Sequence, residues 1–287
     1  MKESLNHLPE RKRHELARIV SIIRTSVPQA EMLILFGSYA RGDWVEDVTL
    51  EGFTTYEYLS DFDILVIVKD KALADEADFW DNVEKKAGRH PVRTSIKLIA
   101  HDIAYVNRQL EKGQYFFTDI KKEGIILYDS KNCQLAEPKE LSPKERLGQA
   151  KADFKHWFGR GNEFYRYYEF GLENKLYETA AFNLHQAAEC FYGTMLLVYT
   201  NYKPKAHDID KLGKMAAERE PAFIKIFPRG TKEEKRRFDL LKQAYVGARY
   251  NQGYKITAEE LKYLARCVEL LQQQTKVSCE AKMGSFV

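Results

Sequence analysis

The sequence predicts two domains of different class, an α/β (α+β) domain with a mixed sheet first and an all-α bundle after it. Three observations carry that prediction. Short apolar runs that read as strands gather in the first half, at MLILF (32–36), FDILVIV (62–68) and TSIKLIA (94–100), interleaved with helical patterns. A polar stretch from Asp129 to Pro143, with two prolines and no period, interrupts the chain. Beyond it the strand signals fade and helical spacing takes over.

In order, residues 10–27 place Leu16, Ile19, Val20, Ile23 and Val27 on one helical face, and Pro28 follows as a stop. MLILF reads as a buried strand that ends at Gly37, and FDILVIV as a second. A helix is expected over 75–88, a third strand at TSIKLIA, and another helix over 102–112 that stops at Gly113. GIILYD (124–129) reads as a further strand or an edge. After the break, helices are expected over 144–171, 174–200, 207–219, 232–249 and 257–275. The second of these contains LYETAAFNLHQAAECFYGTMLLVY, with bulky residues all round the helix, which places it at the centre of a bundle. The division is then 1–130 for the first domain, 131–143 for a linker, 144–275 for the bundle and 276–287 for a tail.

A chain of 287 residues, 44% hydrophobic and 30% charged, has material for two cores. A net charge of +3 gives no strong argument for nucleic acid. Cys133, Cys190, Cys267 and Cys279 stand far apart and form no CxxC pair, so neither a zinc site nor a disulfide framework is indicated. Reduced thiols, no apolar leader in MKESLNHLPERKRHEL and no run of membrane-spanning length together give a cytoplasmic expectation with no membrane partner.

The chemistry lies in LFGSYARG (35–42) followed by SDFDILVIV (60–68). Asp61 and Asp63 stand two apart in a strand pattern, so both carboxylates leave on one face and repel unless a cation lies between them. Mg²⁺, a hard ion often shared with phosphates, suits such a pair. Gly37 lets a phosphate approach the backbone after the first strand, Ser38 can donate to it, and Arg41 is near enough to add charge. A lone Gly-Ser turn or a lone DxD is commonplace. Both together, in this order and each attached to an apolar strand, favour a site.

GSYARG followed by SDFDILV resembles the signature of polymerase beta superfamily nucleotidyltransferases, in particular the minimal and kanamycin nucleotidyltransferase groups, over about the first 130 residues. The resemblance implies a small mixed sheet flanked by helices, two Mg²⁺ ions and a nucleoside triphosphate, with ATP the first choice. Gly37 and Ser38 would hold the triphosphate, and Asp61 and Asp63 would hold metal and be the catalytic acids. The reaction implied is in-line attack of an acceptor hydroxyl on the α-phosphate, with pyrophosphate leaving. Two departures stand out. An insert from Asp43 to Leu59 separates the two halves of the signature, and reads either as a lid or as a surface hairpin. The later strand TSIKLIA, where the family carries a third carboxylate, offers Ser95 and Lys97 instead, while Asp102 just past it reads as a helix cap. Asp43, Asp47 and Asp102 are the remaining candidates for a third ligand.

The second half resembles the HEPN domain (higher eukaryotes and prokaryotes nucleotide-binding) through FNLHQAAECFYGTML (182–196), HDIDKL (207–212) and ARYNQGYKI (248–256). Ribonucleases of that family use an Arg and a His a few residues apart. Here Arg249 is present, but the place of the His is held by Tyr254, whose reference pKa of about 10 unsuits it to acid–base work near neutrality. His185 and His207 read as packing or capping residues. In some pairs of these domains AMP is moved onto a tyrosine of the HEPN partner. Tyr250 and Tyr254 are the candidates for that role here, the place of the usual acceptor falling at Ile256. Three readings follow: a Mg²⁺-dependent nucleotidyltransferase, a catalytically weak nucleotide-binding regulator of toxin–antitoxin-like type, and a ribonuclease fused to its antidote, which the missing Arg–His pair opposes. The acceptor stays open between a small molecule, a protein tyrosine and an RNA end, and the HEPN resemblance implies a homodimer.

Overall fold

The computed structural model describes residues 1, 4–44, 46–51, 54–204 and 207–286, with the side chains of 46–51 and 54–59 outside the description. The chain divides into two compact units, Met1–Glu140 and Leu141–Val287.

The first unit runs α1 (Glu10–Ser26), β1 (Ala30–Phe36), α2 (Ser38–Arg41), β2 (Glu46–Glu51), β3 (Thr54–Leu59), β4 (Phe62–Val68), α3 (Lys71–Asp75), α4 (Ala77–Ala87), β5 (Ile96–Asp102), α5 (Ile103–Glu111), α6 (Tyr115–Glu123) and β6 (Ile125–Asp129). Four strands form a mixed sheet in the order β5-β4-β1-β6. β1 lies antiparallel to β4 and to β6, and β4 lies parallel to β5. Parallel neighbours need a crossover, which α3 and α4 supply. Every residue of β1 and β4 is buried, which explains why both read as continuous apolar runs rather than alternating ones. Leu16, Ile19 and Ile23 of α1 and Trp80 and Val83 of α4 join Leu33, Leu35, Ile64, Val66 and Leu98 in one core on one face of the sheet. Each such aliphatic side chain contributes about 1.5–3 kcal/mol by leaving water. On the other face Phe36 meets Phe116 of α6 edge-on, with ring centroids 5.4 Å apart.

Several elements differ from the sequence expectation. The helix expected over 75–88 is α4, but a short helix absent from the sequence reading, α3, precedes it, and the Trp80 indole N–H donates to the Leu73 carbonyl of α3 (2.8 Å). The third strand starts at Ile96 because Thr94 is tied to α1 instead, between Lys12 and Glu15. As its place in the sequence predicts, Asp102 caps α5, its carboxylate accepting the Tyr105 N–H at 2.8 Å. The helix α6 has no counterpart in the sequence reading. Within the insert, β2 and β3 pair antiparallel from Glu46↔Leu59 to Glu51↔Thr54 as a separate hairpin. Residues 130–140 lack regular structure but are bound to the first unit, with Lys121 Nζ donating to the Ala136 carbonyl (2.9 Å) and Asn107 to the Gln134 carbonyl (3.1 Å).

The second unit is helical: α7 (Pro143–Asp153), a π-helical turn at Phe154–Phe158, α8 (Gly159–Glu173), α9 (Tyr177–Thr200), α10 (Ile209–Ala217), a 3₁₀ turn at Pro221–Lys225, α11 (Lys232–Tyr250) and α12 (Ala258–Gly284). Capping boxes start three of them, Ser142 with Glu145, Thr231 with Glu234 and Thr257 with Glu260. α9 is buried around most of its circumference, as its composition predicts, and α8, α10, α11 and α12 all pack on it. The helix expected over 144–171 is α7 and α8 joined through the π turn. The last helix continues through the expected tail to Gly284, because Ser278 and Cys279 keep it anchored in the core. All four cysteines are free thiols, and three of them are buried. Among the described residues no helix is long and apolar enough to cross a membrane.

Candidate functional site

Gly37 ends β1 with φ +74°, and α2 follows as a single turn closed by Gly42 at φ +96°. Glycine is required at position 37 on two counts. The backbone conformation disfavours L side chains, and a Cβ there would collide with the Asp63 carboxylate. The turn is held by Tyr39, which is fully buried, packs on Phe62 at 4.5 Å and stacks on Trp44 at 5.4 Å. His7 Nε2 also reaches the Tyr39 carbonyl (2.8 Å). Ser38 is left half-buried and Arg41 exposed. The Arg41 guanidinium pairs with Asp43 at 3.1 Å.

Asp63 stands across from Phe36 on β1 and from Lys97 on β5. Its carboxylate therefore lies between the Gly37 backbone and the Lys97 ammonium, whose Nζ is 3.8 Å from Asp63 Oδ1. Both side chains of this ion pair are only 5% exposed. Asp61 immediately precedes β4, two residues from Asp63, and is half-buried. The structure thus brings Gly37, Ser38 and Asp63 together, with Asp61 next to them. Of the other acids considered, Asp43 is turned to Arg41, Asp102 caps α5, and the side chain of Asp47 lies outside the described residues. Among the described residues no group of three His, Cys, Asp or Glu side chains is placed to hold a metal. The described residues, two carboxylates beside a buried ammonium, do not by themselves fit two divalent cations, because the lysine already neutralises one acid and would repel the second ion at short range.

Behind the turn lies a brace absent from the sequence reading. Lys12 Nζ donates to Thr94 Oγ1 (2.6 Å), and that hydroxyl donates to Glu15 Oε2 (2.5 Å). The same ammonium lies 5.2 Å from the Tyr39 ring and 5.7 Å from the Phe62 ring. Burial pushes the Glu15 carboxyl up, but hydrogen bonds from Thr94, Arg11 and the Arg93 N–H, with the charge of Lys12, outweigh it and hold the group below the usual carboxylate range. The available signal was positional: Lys12 stands four residues before Leu16, on the buried face of α1.

In the second unit the two residues of the HEPN-like motif have different surroundings. Arg249 is exposed, donates from Nε to the Tyr245 carbonyl (2.6 Å), and lies over the rings of Tyr245 (4.5 Å), Phe182 and Tyr250 (both 4.9 Å). Tyr254 is buried against Gly247, and its hydroxyl donates to the Leu240 carbonyl at 2.9 Å. Burial pushes that phenol well above the ordinary tyrosine value, so it is a packing group and not an acid–base one. Tyr250 is 74% exposed. His207, a packing or capping residue by its sequence, packs here. It is half-exposed, its Nδ1 meets Glu189 at 2.9 Å, and its ring stacks on Tyr245 at 4.1 Å. Lys203 holds the same buried Glu189 at 3.1 Å. His185 is fully buried between the carbonyls of Leu241 (2.9 Å) and His207 (3.0 Å), a packing role, and burial pushes its pKa down.

Residues 154–276 match the HEPN domain family. No curated protein matches the chain. A nucleotidyltransferase-like protein from Exiguobacterium sibiricum, known from its crystal structure, aligns over 94% of this chain and 78% of its own, with 14% identity and a TM-score of 0.30, too low to carry fold or function across.

Proposed function

We propose that this chain, which carries a HEPN domain at residues 154–276, binds a nucleoside triphosphate at the Gly37–Ser38 turn and serves as a nucleotide-responsive regulator rather than a fast transferase. One observation carries this reading: the Asp63 carboxylate lies against Gly37 on one side and is paired with buried Lys97 on the other. Nucleotide binding is supported by the side-chain-free backbone at Gly37, the half-buried Ser38 beside it, and the resemblance of GSYARG and SDFDILV to nucleotidyltransferases. Weak transfer is supported by Lys97, which stands where a third acid would have to come from on β5. ATP is the first nucleotide to test. In the second unit Tyr254 replaces the catalytic histidine of HEPN ribonucleases, so RNA cleavage is not part of this reading.

A second reading, Mg²⁺-dependent nucleotidyl transfer to an acceptor hydroxyl, is favoured by the closeness of Asp61 and Asp63 to the turn. It requires the ion pair to open. Its acceptor would be a small molecule, an RNA end or a protein tyrosine, for which exposed Tyr250 qualifies and buried Tyr254 does not. A cytoplasmic homodimer suits either reading.

Calorimetry with ATP, GTP, CTP and UTP is expected to find at least one binder, and labelled ATP incubated with candidate acceptors to release pyrophosphate slowly or not at all. Binding of none of the four would sink the nucleotide reading. Pyrophosphate release at an ordinary enzymatic rate would replace the regulator by the transferase.

A further inference from the structure

We infer that Lys97 does the charge-neutralising work of a divalent cation at this turn, so that the triphosphate binds without metal. This inference rests on the nucleotide-binding reading above. Its basis is the arrangement of three groups. Asp63 stands in register with Lys97 on the parallel neighbour β5, and it presses against the backbone of Gly37. The ammonium is thus one carboxylate away from the place where a phosphate would meet the turn.

A carboxylate so close to a phosphate site opposes an anion unless a positive charge offsets it. An exposed acid could take that charge from a metal ion in solution. Asp63 is only 3% exposed and Lys97 only 4% exposed, so the fold brings its own cation with it. Nor is the lysine placed there by chance of a flexible surface chain. Position 97 is a buried position of a sheet strand, flanked by the buried Ile96 and Leu98, where a charged side chain is retained only with a partner. Among the described residues, two nearby cations are engaged elsewhere. Arg41 is turned to Asp43, and Lys12 is committed to Thr94 behind the turn. Among the described residues Asp61 is the further acid considered beside the pair, and one carboxylate is a poor site for a hard divalent ion that prefers several oxygens.

Position 97 is also the point on β5 from which a carboxylate could reach Asp63, so one substitution converts the two charge schemes. In Lys97→Asp, three acids would gather at the turn and a metal ion would be needed to hold them together.

The test uses the full-length wild type, Lys97→Asp, and the double variant Asp63→Asn/Lys97→Met, which removes both charges together and so guards against loss of fold in the single change. ATP affinity is measured with Mg²⁺ and with EDTA, and Mn²⁺ alone is titrated by its electron paramagnetic resonance signal. For the wild type, EDTA is expected to change ATP affinity by less than about threefold, with no Mn²⁺ bound in the absence of nucleotide. Lys97→Asp is expected to lose at least about tenfold in ATP affinity in EDTA and to gain a Mn²⁺ site. The double variant, which loses the opposing carboxylate together with its cation, is expected to bind ATP equally in both media. Wild-type binding that appears only with Mg²⁺ overturns the inference and leaves the nucleotide reading standing. A wild-type Mn²⁺ site without nucleotide overturns it as well. No ATP binding in either medium overturns both.

Discussion

The charged groups at Gly37 and the cation at Arg249 differ in burial, and so in what removing one of them does. Asp63 and Lys97 are shut inside the first unit with 5% of each side chain exposed. Arg249 sits on the surface of the second unit, its guanidinium spread over three rings. A buried ion pair cannot lose one member without leaving a desolvated charge, whereas an exposed cation over rings can be cut away to water. The charges at the first site thus belong to the fold of the sheet, while those at the second are available for contact with something outside the unit.

The largest expected effect follows from that difference. Lys97→Ala should lower stability by about 3 kcal/mol, because Asp63 is left buried without its cation, and Asp63→Asn/Lys97→Met should recover most of that loss. Arg249→Ala should stay within about 1 kcal/mol of wild type. Urea denaturation of the four proteins measures both sides, and equal losses at the two sites would break the comparison.

Next comes Gly37→Ala. A Cβ at this position meets the Asp63 carboxylate and sits on a left-handed backbone, so a loss of about 2 kcal/mol is expected, together with weaker nucleotide binding. A wild-type thermal midpoint for this variant would mean that the turn and Asp63 are not in contact. In the second unit Tyr254→Phe removes the bond to the Leu240 carbonyl and should cost about 1 kcal/mol in the same assay, while Tyr250→Phe, at an exposed ring, should cost nothing measurable.

The smallest effect is a pH dependence. Glu15 is held below the ordinary carboxylate value in the folded unit, so its contribution is complete above the unfolded value near 4.3 and is lost as pH falls through the folded value. Glu15→Gln should therefore be less stable than wild type at neutral pH, with the difference shrinking in acid. A difference that grows as pH falls would reverse the sign assigned to the Lys12–Thr94–Glu15 brace.

The strands were legible because β1 and β4 are buried on both faces and so leave continuous apolar runs in the sequence. The helix α6 was not, since its nine residues, Tyr115–Glu123, give too little length for a period to emerge, and Phe116 and Phe117 bury by meeting Phe36 and each other. At the site, Gly37, Ser38, Asp61 and Asp63 could be picked out from their order and spacing. Lys97 could be seen to replace an acid, but only the β4–β5 register shows that it faces Asp63. The brace through Lys12 and Glu15 joins residues about 80 apart in the chain, and pairing over that distance leaves no local pattern. His207 reads as a packing or capping residue and does pack on Tyr245, but nothing in HDIDKL points to Glu189 on α9.

An ion pair stands where a metal centre would be expected, and crystals grown with ATP and Mn²⁺ decide between the two through anomalous scattering at the manganese edge. Triphosphate density is expected at the Gly37–Ser38 turn, with Lys97 Nζ turned toward it and no anomalous peak bridging Asp61 and Asp63. Two manganese peaks between those carboxylates, with Lys97 displaced, would contradict it.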